Sequence, residues 1–153
     1  MLPRRYVTLN EPINTCVLTR AAVQTIPTGV LTVVVWDAPT IIDNNVFSYN
    51  VGTGVLTTNI TGIYNITFNQ VWLANVNGTR LGVIDHNDGT AVRSLSSSIA
   101  SLVTTANVVV SVTRRFISSA NISFSVLQNI GANLNLGGNA SLRAEIYRLG
   151  DLD

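Results

Sequence analysis

The stretch from Phe47 to Trp72, FSYNVGTGVLTTNITGIYNITFNQVW, constrains the fold more than any other part of the chain. A glycine-containing turn, Gly52-Thr53-Gly54, leads to a Gly62-Ile63-Tyr64 corner and then to a run of strict alternation. Successive side chains of a strand point to opposite faces. Tyr64, Ile66 and Phe68 therefore share one face, and Asn65, Thr67 and Asn69 share the other. The first face suits a core. The second is polar yet uncharged, and such a face tolerates burial against another chain if its amides and hydroxyls are paired. The stretch carries no catalytic group, so it speaks to shape and assembly.

The rest of the chain extends this pattern. Helical periodicity is absent, and Val, Ile, Thr, Asn and Gly dominate over strong helix formers. Short alternating or apolar runs separated by turn signals read as an all-β sandwich or barrel. Strands are expected at 16–25, 30–36, 45–50, 54–59, 62–74, 79–85, 93–103, 106–116, 121–129 and 141–149. Pro27-Thr28-Gly29 and Asp37-Ala38-Pro39 break the early strands. Asn77-Gly78 predicts a hairpin, because a tight primed turn needs positive φ. Gly137-Gly138-Asn139 predicts another reversal. Pro3 and Pro12 limit regular structure in a lead segment, residues 1–15, ahead of a single domain over residues 16–153.

Composition narrows the function classes. Only 11% of the 153 residues are charged, well under the roughly 25% of an average soluble protein. Such a chain hides surface in an assembly or presents a Ser/Thr/Asn exterior. All nine basic residues are Arg, and the net charge is +1. Nucleic acid is a poor partner for it, since that needs a concentrated basic face. Residues 94–113 lack charge, but ten of the twenty are Ser, Thr or Asn, which argues against membrane insertion. No continuous apolar signal segment is visible at the start of the sequence.

The order of blocks AVQTIPTGVLTVVVWD, FSYNVGTGVLTTNITGIYNITFNQVW, NGTR, VVVSVTRRFISSANISFSVLQN and SLRAEIYRLG resembles the jelly-roll domain of the complement 1q and tumour-necrosis-factor-like superfamily. In pattern it is nearest to the bacterial and phage versions. The resemblance covers Leu18 to Leu149. It departs from the pattern at Ile117-Ser118-Ser119-Ala120-Asn121, where many relatives carry a Gly-Asp pair. Collagen repeats do not precede the block. The resemblance implies a ten-strand, two-sheet antiparallel jelly roll, a homotrimer and no enzymatic activity. It further implies that Thr67, Val109, Ser111, Arg143, Glu145 and Tyr147 face the threefold axis.

Other chemistry finds little footing. His86, the one histidine, lies in Asp85-His86-Asn87-Asp88-Gly89, which reads as a polar loop after a strand. Calcium near Asp85–Asp88 is the sharper alternative, but the spacing lacks the bidentate glutamate of a calcium loop. Gly52-Thr53-Gly54 lacks the lysine and helix of a phosphate loop. The lone Cys16 reads as a small buried hydrophobe. Trp36, Trp72 and Tyr49 read as core rather than as a sugar-stacking surface. Sequons at Asn59, Asn65, Asn77, Asn121 and Asn139 are weak evidence for glycans in a chain so rich in Asn, Ser and Thr. No cofactor is expected.

Together these point to a structural homotrimer on a virion surface, such as a phage capsid decoration or head protein. Arg4, Arg5 and Tyr6 of the lead segment would anchor it to a capsid or other virion protein. The alternative is a trimeric head, extracellular or on a cell surface, that binds a host receptor or glycan.

Overall fold

The computed structural model describes residues 14–73, 77–87, 91–99, 106–137 and 139–151. Their regular structure is entirely β. The strands are β1 (Thr15–Arg20), β2 (Gln24–Ile26), β3 (Thr32–Val33), β4 (Ile41–Ile42), β5 (Phe47–Asn50), β6 (Val55–Thr58) and β7 (Gly62–Trp72). They continue as β8 (Thr79–Asn87), β9 (Ala91–Ile99), β10 (Ala106–Phe116), β11 (Asn121–Gln128), β12 (Leu134–Leu136) and β13 (Asn139–Gly150). A seven-stranded sheet has the order β2-β12-β7-β13-β1-β4, with β10 on the other edge of β7. A six-stranded sheet has the order β5-β6-β11-β8-β9, with β3 also on β11. The result is an antiparallel two-sheet jelly roll.

The strands of two or three residues, β2, β3, β4 and β12, arise where the ladder is interrupted. The run 16–25 splits because the backbone N–H of Ala21 donates to the Asp37 carboxylate at 2.8 Å instead of to a neighbouring strand. In the run 30–36 only Thr32 and Val33 pair as a strand. Its alternation persists regardless: Val34 and Trp36 are buried, and Val33 and Val35 are exposed. The sequence pattern had no signal for β4 or β12, since each is held by its partner strand rather than by its own periodicity.

β7 runs through the middle of the larger sheet and alternates buried with half-buried residues along its whole length. Tyr64, Ile66 and Phe68 are buried as expected. Trp36, Phe68 and Phe124 meet edge to face at 5.2 to 5.8 Å, the arrangement that the ring quadrupoles favour. Phe47, Tyr64 and Phe116 form a second cluster with centroids 5.8 Å apart. The Tyr64 hydroxyl donates to the Ile60 carbonyl at 2.5 Å, which lets a phenol sit in the core. Trp36 and Trp72 belong to this core and Tyr49 packs against it.

Three local expectations change. Asn77-Gly78 does not join a hairpin, because β7 and β8 lie in different sheets. Gly78 does have φ +71°, and a Cβ there would lie 2.9 Å from the Asn129 backbone. The turn is closed across the sheet end: Asn129 Oδ1 accepts from the Thr79 N–H at 2.5 Å. Gly137-Gly138-Asn139 is not a reversal either, and Gly138 itself lies outside the described residues. β12 and β13 both run antiparallel to β7, pairing Leu136 with Trp72 and Arg143 with Asn69, so the chain keeps its direction. Gly137 serves close approach: its N–H donates to the Val71 carbonyl at 2.6 Å, and a Cβ would lie 2.9 Å from that oxygen. Finally, His86 is in β8, not in a loop. It is buried on the inward side, edge-on to Phe116 at 5.2 Å.

Candidate functional site

The outer face of the seven-stranded sheet is built in rows by strand register. The middle row runs Ile41, Val17, Glu145, Thr67 and Ser111 across β4, β1, β13, β7 and β10. On one side of it run Thr19, Arg143, Asn69 and Val109. On the other run Thr15, Tyr147, Asn65 and Thr113. The structure therefore brings Thr67, Val109, Ser111, Arg143, Glu145 and Tyr147 onto one continuous face. Core alternation on β7 dictates this: with Tyr64, Ile66 and Phe68 inside, their neighbours must point out.

The polar groups of this face pair with each other. Asn65 Nδ2 donates to Thr113 Oγ1 at 2.9 Å. Thr67 Oγ1 and Ser111 Oγ lie 3.3 Å apart. The Arg143 guanidinium forms an ion pair with Glu145 Oε1, and the Tyr147 hydroxyl donates to Glu145 Oε2 at 3.2 Å. Burial, and then the Glu145 charge, raises the Tyr147 phenol above its ordinary pKa. Val109 is 50% exposed. It borders a shallow pocket of about 220 Å³ lined also by Asn69, Gln70, Val71 and Asn107.

Sequence reasoning did not reach Val17 or Thr113. Val17 is itself buried, at 2% exposed, between the buried Cys16 and Leu18, and its neighbours are set by pairing with β13, which starts more than a hundred residues later. Arg4, Arg5 and Tyr6 lie outside the described residues.

The remaining candidates fall elsewhere. Asp85 sits in β8 of the other sheet, in register with Arg93 and Ser123, and Asp88 lies outside the described residues. Among the described residues no group of three His, Cys, Asp or Glu side chains is placed to hold a metal ion. Cys16 is fully buried in the core, and burial pushes its thiol up to about 12. No helix among the described residues is long and apolar enough to cross a membrane.

No protein-family model matches the sequence, and no curated protein matches it. Solved structures do match in fold. Eiger, a TNF from S. frugiperda, superposes with a TM-score of 0.70 at 11% identity, over 94% of this chain and 96% of that one. Murine APRIL gives 0.70 at 14% identity, over 88% and 98%. The globular domain of the zebrafish complement 1qA protein gives 0.66 at 11% identity, over 91% and 99%. The chain has the C1q/TNF-like jelly-roll fold.

Proposed function

We propose that this chain is a non-enzymatic structural protein that assembles as a homotrimer through the outer face of its seven-stranded sheet. The observation that carries this reading is the character of that face. It is broad and internally hydrogen-bonded, and its charges among the described residues are the Arg143–Glu145 ion pair and, toward the end of β10, the exposed Arg115. A solvated face of this size ordinarily carries more charge, given that charged residues make up about a quarter of an average protein. Thr67, Val109, Ser111, Arg143, Glu145 and Tyr147 would line the contact. Cyclic assembly joins one patch of each subunit to a different patch of the next, and a stable contact of this kind buries on the order of 2,000 Å² in total.

The finer reading places the trimer on a virion surface, as a capsid decoration or head protein, with residues 1–15 as its anchor. It rests on the sequence alone: on the resemblance of its blocks to bacterial and phage domains, and on Pro3, Arg4, Arg5, Tyr6 and the Val7/Leu9 alternation. Such a segment is fit to add a strand to an exposed sheet edge of a partner. Light scattering at micromolar concentration tests the assembly: the mass should be that of three 16.4 kDa chains. A stable single-chain mass removes the reading. Deleting residues 2–13 should release the intact trimer from particles, and attachment that survives the deletion favours a receptor- or glycan-binding head instead.

A further inference from the structure

The extended segment from Val30 to Trp36 has two edges, and only one of them is a ladder. Thr32 and Val33 pair with Val126 and Ser125 of β11, and the Val34 N–H donates to the Phe124 carbonyl at 2.8 Å. Backbone groups of successive strand residues point to opposite edges, so those of Val33 and Val35 turn away from β11. Side chains from the other sheet meet them there. Gln24 Nε2 of β2 donates to the Val33 carbonyl at 2.8 Å, and the Val35 N–H donates to Gln24 Oε1 at 3.2 Å. The Arg20 guanidinium, at the end of β1, donates to the Val35 carbonyl. One carboxamide and one guanidinium thus supply the hydrogen bonds that a neighbouring strand would supply. Asp37 ties down the same corner, accepting from the Ala21 N–H through its carboxylate and donating its own N–H to the Thr19 carbonyl.

The segment held by this clasp is of the kind that pairs strands between chains. Residues 30–36, VLTVVVW, are all β-branched or apolar, without proline or glycine, and no charged residue stands between Arg20 and Asp37. That is the composition of a segment that adds to its own kind once its edge is bare. Val30, Leu31, Val33 and Val35 are 39 to 51% exposed, so apolar side chains as well as backbone groups face outward. Proteins commonly blunt such an edge with lysine or proline, and this segment has neither. We infer that Gln24 and Arg20 are edge guards, whose side chains keep the 30–36 segment from pairing with the same segment of a second copy. An antiparallel pair of identical strands is self-complementary about a twofold axis, so the unguarded edge needs no other partner. The device is independent of the trimer reading, which uses the outer face of the seven-stranded sheet.

The test follows scattered mass and thioflavin T fluorescence over days, at neutral pH and micromolar concentration, for wild type, Gln24→Leu and the double variant Gln24→Leu/Val35→Pro. Circular dichroism checks that each is folded at the start. Every mass is read against wild type's own, whatever its number of chains. Wild type should hold its mass. Gln24→Leu takes the partners from the Val33 carbonyl and the Val35 N–H, and its mass should climb severalfold with a rising thioflavin signal. The Val35→Pro change removes that N–H and suits an edge strand, so the double variant should stay at the wild-type mass. Mere destabilisation would make the double variant associate at least as much. A Gln24→Leu chain that keeps the wild-type mass overturns the inference, as does growth that persists equally in the double variant. If Gln24→Leu does not fold, hydrogen exchange of wild type decides. The Val35 N–H should be protected about as well as that of Val34, and exchange at the rate of an open loop overturns the inference.

Discussion

Gln70 is almost completely buried, 1% exposed, and points from β7 into the space between the sheets. Its side chain lies over Gly82 of β8, where a Cβ would come within 1.7 Å of Gln70 Nε2 and 2.9 Å of Val110 Cγ2. The glycine is therefore a seat for the amide, not a turn residue. Gly82→Ala should displace Gln70 and cost about 1–3 kcal/mol, the usual range for overpacking a core. Adding Gln70→Ala should recover part of that loss, because the two changes share one volume. Urea denaturation of both single variants and the double variant checks this, and strictly additive losses would contradict the contact. Cys16 gives a second residue-scale expectation. Its buried thiol has a pKa raised from 9.0 to about 12, and Tyr49 is raised from 10.0 to about 12, also by burial. Both groups stay neutral in the folded chain at pH values where they ionise once unfolded. Their contribution to stability is complete below pH 9 and is lost as pH climbs toward 12. The melting temperature should fall across that window, and iodoacetamide at pH 8 should label Cys16 only after unfolding. Rapid labelling of the native chain would place the thiol at the surface.

Ser119, in the turn between β10 and β11, is the one described non-glycine residue with positive φ, at +71°. That region costs an L-residue roughly 1–2 kcal/mol. The turn is held from outside: the Ser119 N–H donates to the Thr58 carbonyl at 2.6 Å, and Ser118 Oγ donates to the Asn59 carbonyl at 2.9 Å. The loop that departs from the Gly-Asp pair thus holds a serine in the left-handed region. Ser119→Gly should raise stability by about 0.5–1 kcal/mol, read as a higher urea midpoint; a lower midpoint would mean that the serine side chain contributes more than its backbone strain costs. The same element scale shows what sequence could reveal. β7 carries its own alternation across a long run, so its faces were legible from single residues such as Phe68. β4 and β12 were not, because two or three residues have no period. Asn77-Gly78 and Gly137 were read as turns of the hairpin type, yet their glycines answer to Asn129 and Val71, neighbours that only the folded topology supplies. His86 looked like loop chemistry because acidic and amide residues flank it; its burial follows from β8 running two residues further than its apolar pattern. Of the candidate site, the polar side of β7 was legible from alternation, while the partners on β10 and β13 came from the resemblance to a known domain.

At the scale of the whole molecule, two facts bear on each other: the chain is 11% charged, and its seven-stranded sheet turns a largely uncharged face outward. Val109 offers a clean test of whether that face is a contact. It is 50% exposed in the single chain, so a longer polar residue there meets solvent rather than core. Surface changes of this kind usually alter chain stability by no more than about 0.5 kcal/mol. In the assembly the situation reverses. Val109 shares its row with Asn69 and Arg143, and symmetry repeats the row at one height in every subunit. Val109→Arg would add a cation per subunit to a row that already holds Arg143 two strands away, and desolvating an unpaired charge in an interface costs several kcal/mol. At micromolar concentration and pH 7.5 the variant should therefore scatter as a single 16.4 kDa chain. Its circular dichroism and urea midpoint should match those of wild type. A Val109→Arg chain that still assembles as a trimer would move the subunit contact away from the row of Val109, Asn69 and Arg143.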